Sequence, residues 1–170
     1  MQKQETDWSK YSNESIDFIL AQSEKSMNET FVSYRENTNK SYAALAIYSS
    51  LLSYCIAKIV TDENVKSYVY LFVLSLGMLS CIIIIFSNLN PKKMSFIGSC
   101  KSLLCQDYYE NDVNKEEQFK EYKIQTIETY DEAIKDNYKE VVSQIEYFNI
   151  SVCVFIAVIL VTLFAFFIFG

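Results

Sequence analysis

Residues Asn149–Gly170 read NISVCVFIAVILVTLFAFFIFG, twenty-two positions without a charged side chain. As a helix rising about 1.5 Å per residue, such a run crosses roughly 30 Å of hydrocarbon, which takes about 20 residues. Two further blocks share this character: Ser41–Val60, whose one charge is Lys58, and Ser67–Asn88, which has none. The chain has 170 residues, 51% of them apolar, yet its mean hydropathy is only +0.07 because the remainder is dense in charge. Lipid-soluble and water-soluble segments therefore alternate, which rules out a single soluble domain. Three Gly, one Pro and no repeat period also exclude collagen-like, propeller and solenoid architectures.

The sequence predicts an all-α integral membrane protein with three transmembrane helices and a cytoplasmic helical bundle. Residues 1–40 form a cytoplasmic amphipathic helix, 41–60 the first span, 61–66 an external hairpin and 67–88 the second span. Residues 89–148 form a cytoplasmic helical segment and 149–170 the third span, ending outside. Orientation follows the basic residues. Arg35 and Lys40 precede the first span, Lys92, Lys93 and Lys101 follow the second, and Lys135 and Lys139 precede the third, whereas the hairpin offers only Lys66. Lys58 is expected to snorkel outward. The charged, amphipathic stretch before the first span is unlike the flank of a cleaved signal. These features place the chain in the inner (cytoplasmic) membrane, with Phe164, Phe166, Phe167 and Phe169 facing lipid.

The polar segments also read as helices. Ile16, Leu20, Ser23, Met27, Phe31 (or Thr30), Tyr34 and Thr38 recur in steps of three and four, with Ser12 as the expected cap. No breaker separates this stripe from the first span, which predicts one rod from Asn13 to Val60. A second stripe comprises Phe119, Ile127, Tyr130, Ile134, Tyr138, Val141, Ile145 and Phe148, and it feeds the third span. Between them, Pro91 and Gly98 punctuate a turn and a short helix around Phe96–Cys105. Amphipathic helices of this kind need partners for their apolar faces. The two stripes are expected to pack within and between protomers, giving a homo-oligomer with a seam at Ile127, Tyr130, Ile134 and Tyr138. A monomeric three-helix bundle is the alternative.

Within the spans, Tyr42, Ala46, Ser49, Ser53 and Ala57 share one face, and Gly77, Ser80 and Ser87 form a small, partly polar row. Such rows serve as helix-packing seams. They also suit a narrow pore, because hydroxyls replace part of an ion's hydration; Ser49, Ser53, Gly77 and Ser80 are the pore-lining candidates. Asp, Glu, Arg and His are missing from all three spans, so ion-coupled transport has no intramembrane relay. Catalysis has little to stand on. The chain has no His, no Cys-x-x-Cys pair, no phosphate-cradling Gly-rich loop and no serine elbow. Cys100 and Cys105 read as free thiols in a reducing cytoplasm, and Cys55, Cys81 and Cys153 as buried within spans. The carboxylates of Glu116–Glu146 alternate with lysines as on a solvated helix face. No enzyme, cofactor or metal is predicted.

The net charge is −6, with −2 on residues 1–40 and −4 on residues 89–148, so bulk nucleic-acid binding is not expected. One basic cluster remains: Lys92, Lys93 and Lys101, near the aromatic Phe96, Tyr108 and Tyr109. It serves either as an orientation signal touching membrane lipid headgroups or as a site for a small anion. A nucleotide or short oligonucleotide made by a partner enzyme fits the second role, with phosphates on the lysines and bases on the tyrosines.

The stretch Asn37-Thr38-Asn39-Lys40-Ser41-Tyr42-Ala43, the two-span hairpin closed by Pro91, and Tyr130-x-x-Ala133-Ile134-x-x-Asn137 on a long helix resemble small membrane effectors of bacterial anti-phage systems. The similar groups are SLATT proteins, the membrane effectors of Pycsar systems and the membrane component of Hailong systems. The resemblance covers Thr38–Ile145; the third span and the lack of a cyclic-nucleotide-binding domain depart from it. It implies an oligomeric pore or ion channel that a nucleotide-derived signal controls and that depolarises the membrane in abortive infection. The other reading is a non-conducting anchor whose cytoplasmic helices recruit a partner.

Overall fold

Three long helices account for nearly all of the computed structural model, which describes residues 6–61, 65–89, 94–95 and 115–169. They are α1, Asn13–Thr61; α2, Val65–Leu89; and α3, Lys115–Phe169. Each contains a stretch long and apolar enough to cross a membrane. α1 and α3 each run without interruption from a charged segment into an apolar one, as expected for sequences with no Pro and no Gly before the end of the apolar run. A short 3-10 turn, Trp8–Lys10, precedes α1. The Ser9 hydroxyl, followed by Lys10, holds the Asp7 carboxyl below its ordinary range at the head of this turn. The cap of α1 is Ser12, whose hydroxyl oxygen accepts from the Ser15 N–H at 3.2 Å.

The described residues divide into two compact units. One takes its residues from Met1–Val32 and Lys93–Lys139, the other from Ser33–Lys92 and Glu140–Gly170. In the first unit, Ile16 and Met27 of α1 are buried, as are Ile127 and Ala133 of α3. Polar contacts rim this core. Trp8 Nε1 donates to Glu128 at 3.1 Å, Lys123 pairs with Asp17 at 2.5 Å, and Lys120 donates to the Tyr11 carbonyl at 3.1 Å. Lys123 also lies 4.4 Å over the Phe119 ring.

The second unit is built around Ala44 and Tyr48 of α1 and Met78, Cys81 and Ile85 of α2, against which Phe148, Val154, Phe155 and Val158 of α3 pack. The Tyr48 and Phe155 rings stand 5.1 Å apart. Its buried positions recur every seven residues: Ser41, Tyr48 and Cys55 on α1, Cys81 and Asn88 on α2, Gln144 and Ser151 on α3. A seven-residue period is that of helices packed side by side along a common seam. Large apolar side chains cover the outside, including Phe72, Ile83, Phe86, Leu160, Phe164 and Phe167. This surface suits lipid and would be costly in water, at about 25 cal/mol per Å² of apolar area.

Two details differ from the sequence reading. The α1 stripe is turned inward throughout, but Phe119, Tyr138 and Ile145 of the α3 stripe are exposed, while Gln118, Thr126, Asn137 and Gln144 are buried. The inward seam of α3 is half polar, so apolar spacing alone misplaces it. Cys153 lies on the outer surface, whereas Cys55 and Cys81 are buried; all three are free thiols. The turn at Pro91 and Gly98, the helix around Phe96–Cys105, and Cys100 and Cys105 lie outside the described residues.

Candidate functional site

The hydroxyl row of α1 is exposed. Ser49, Ser50 and Ser53 face away from their unit's core, together with Ala46 and Ala57. Ser53 donates back to the Ser49 carbonyl at 2.9 Å and Ser50 to the Ala46 carbonyl at 2.8 Å. These local bonds satisfy the hydroxyl protons of Ser50 and Ser53 and leave lone pairs outward, so the face is weakly polar. Ser80 is exposed on α2 and donates to the Leu76 carbonyl at 3.0 Å. Gly77 is in different surroundings. A Cβ built on it would lie 2.3 Å from Cγ1 and 2.4 Å from Cγ2 of Val158, so it marks the close approach of α2 to α3. Within one chain, the pore-lining candidates thus divide between an open face and a packed seam.

The residues proposed as an oligomer seam also spread out. Ile127 is buried in its own unit, Tyr130 and Ile134 are half-buried, and Tyr138 is exposed. Lys92, Lys93, Lys101, Tyr108 and Tyr109 lie outside the described residues.

A different set of residues converges in the core. Asn137 is clasped to the chain that follows α2: its Oδ1 accepts from the Ser95 N–H at 2.8 Å and its Nδ2 donates to the Ser95 carbonyl at 3.0 Å. The same nitrogen reaches Met27 Sδ at 3.6 Å. In the second unit, Asn88 Nδ2 donates to Ser41 Oγ at 2.9 Å and to the Gln144 backbone carbonyl at 3.2 Å. Gln144 Nε2 donates to Thr38 Oγ1 at 3.2 Å. Seven residues along each helix lies a second polar layer, in which the Ser151 hydroxyl donates to the Tyr48 hydroxyl at 3.1 Å and Cys81 Sγ reaches the Ser151 carbonyl at 3.7 Å.

No known protein family, curated protein or solved structure matches this chain. The chemistry of the site therefore rests on its own side chains. Both layers are made of neutral groups: amides, hydroxyls and a thiol. Among the described residues, no three His, Cys, Asp or Glu side chains group as they would around a metal ion. The sequence did carry a signal for the layers, namely Asn137, Gln144 and Ser151 at intervals of seven, continued by Ser41 and Tyr48. A search for apolar periodicity passes over it, because it counts each Asn and Gln as surface.

Proposed function

We propose that this chain is an integral membrane protein whose copies associate through the exposed face of α1 into an oligomeric pore, the depolarising effector of a bacterial anti-phage system. The observation that carries this reading is the stripe Ala46, Ser49, Ser50, Ser53 and Ala57, which is small, weakly polar and turned away from the chain's own core. Against acyl chains such a stripe gains little. Against a neighbouring helix its small side chains permit close approach, and a ring of copies places repeated hydroxyl oxygens along an axis. The resemblance to SLATT, Pycsar and Hailong membrane components supports the same reading and supplies the control: a nucleotide-derived ligand meeting Lys92, Lys93 and Lys101 on the cytoplasmic side. The basic residues flanking the spans favour a cytoplasmic N-terminus and an external C-terminus in the inner membrane.

The test is current through the purified full-length chain in planar bilayers, recorded with and without cyclic nucleotides on the side bearing the basic cluster. Discrete current steps are expected under at least one condition. Ser49→Leu and Ser53→Leu should each reduce unitary current several-fold while the protein still inserts. Absence of current under both conditions would overturn the pore and leave a partner-recruiting anchor as the reading.

A further inference from the structure

The layer formed by Thr38, Ser41, Asn88 and Gln144 goes beyond the pore reading and does not depend on it. Asn88 and Gln144 are each 1% exposed and Ser41 is fully buried. Among the described residues, Asn88 Oδ1 and Gln144 Oε1 are buried without a hydrogen-bond partner. The orientation of both amides follows from their neighbours. Asn88 presents its nitrogen to the Gln144 backbone carbonyl, which only accepts, so the bare atom is the oxygen. The Thr38 hydroxyl gives its proton to the Tyr34 carbonyl at 2.9 Å, so toward Gln144 it too can only accept. Gln144 must therefore turn its nitrogen to Thr38 and leave Oε1 bare. Rotating either amide would set oxygen against oxygen.

Two fixed, buried acceptors call for a positive or proton-donating guest, and an anion is excluded. Two features favour positive charge. Asn88 stands in the last turn of α2, the end at which a helix dipole is negative. That last turn carries no basic residue. Neutral amide and hydroxyl oxygens match a monovalent ion better than Ca²⁺, whose sites are rich in carboxylate, or Mg²⁺, which keeps several waters. Helix C-terminal ends with neutral oxygens serve Na⁺ in this way within membranes. We propose that Asn88 Oδ1 and Gln144 Oε1, with the hydroxyl oxygens of Ser41 and Thr38 beside them, bind a desolvated monovalent cation, Na⁺ or K⁺, that locks the three helices of this unit.

The experiment is thermal unfolding of the purified full-length chain in detergent, in NaCl, KCl and choline chloride at equal ionic strength. One of the alkali cations should raise Tm saturably, by about 3–6 °C at ten times its dissociation constant, relative to choline. Gln144→Met keeps the bulk of the side chain and removes the oxygen; its Tm should be the same in all three salts. Equal wild-type Tm in the three salts, as a layer satisfied by water would give, would overturn the proposal. So would a cation effect that survives in Gln144→Met. Should that variant not fold, equilibrium binding of radioactive Na⁺ and Rb⁺ to the wild type decides: saturable binding of one supports the site, and binding of neither removes it.

Discussion

Gly77→Leu is expected to destabilise the packing of α2 against α3 by about 3 kcal/mol or more, near the upper end of what overpacking costs. Even the first added carbon meets Cγ1, Cγ2 and Cβ of Val158 at 2.3, 2.4 and 2.9 Å. A β-branched side chain on a helix has essentially one rotamer, so Val158 cannot swing aside. The helices must separate, or α2 must shift along α3. Gly77→Ala is the milder case, because the helix gains about 1 kcal/mol when Gly becomes Ala. Its net cost should fall to about 1–2 kcal/mol. The diagnostic is the partner substitution. Val158→Ala removes both methyl groups that the new carbon strikes, so the double variant Gly77→Ala with Val158→Ala should recover much of the loss. A coupling of about 1–2 kcal/mol in a double-mutant cycle of SDS-induced unfolding is the expected measurement. Additive effects would mean that the two residues do not meet.

Leu160→Lys is expected to impair membrane insertion on the order of a hundredfold, whereas Tyr138→Lys should leave it unchanged. The two positions are equally open, each 61% exposed, and both lie on α3. What differs is the surroundings. Leu160 is near the middle of the uncharged run Asn149–Gly170, and Tyr138 stands among Lys135, Asp136 and Lys139. On an exposed face in water, Leu→Lys is close to neutral, within about 0.5 kcal/mol. At the centre of a bilayer, lysine costs about 2.5–3.5 kcal/mol and the favourable leucine contribution is lost as well. The fraction of expressed chain recovered in washed membranes reads the difference directly. Equal behaviour of the two variants would show that residue 160 is not in lipid.

The sequence made the helices legible because their apolar blocks are long, nearly uncharged and unbroken, and it made the α1 stripe legible because small and apolar residues keep a three/four spacing there, although Phe18 and Val32 lie exposed off it. Ser12 was readable as a cap for the same local reason. The seam of α3 was only half readable. Ile127 and Val141 fit the apolar pattern and are buried, but Tyr138 and Ile145 fit it and are exposed, while Asn137 and Gln144 take inward places that the pattern assigns to solvent. What brings those two inside is hydrogen bonding to distant segments, to Ser95 after α2 for Asn137 and to Thr38 of α1 for Gln144. Bonds between residues 42 and 106 positions apart leave no trace in a local window. Gly77 shows the same limit from another side. Its smallness was plain, but the neighbour that requires it, Val158, is 81 residues away. Neither residue alone tells whether the gap is filled by a helix, lipid or an ion path.

The measurement that bears most directly on the account is flotation of the wild-type chain with membranes at high pH, conditions that strip proteins held at the surface and leave those threaded through the bilayer. The three apolar segments, with their outward cover of Phe72, Ile83, Leu160 and Phe167, predict that the chain floats with lipid and leaves it only in detergent. Release into the aqueous fraction without detergent would contradict the membrane-spanning reading on which the pore proposal stands.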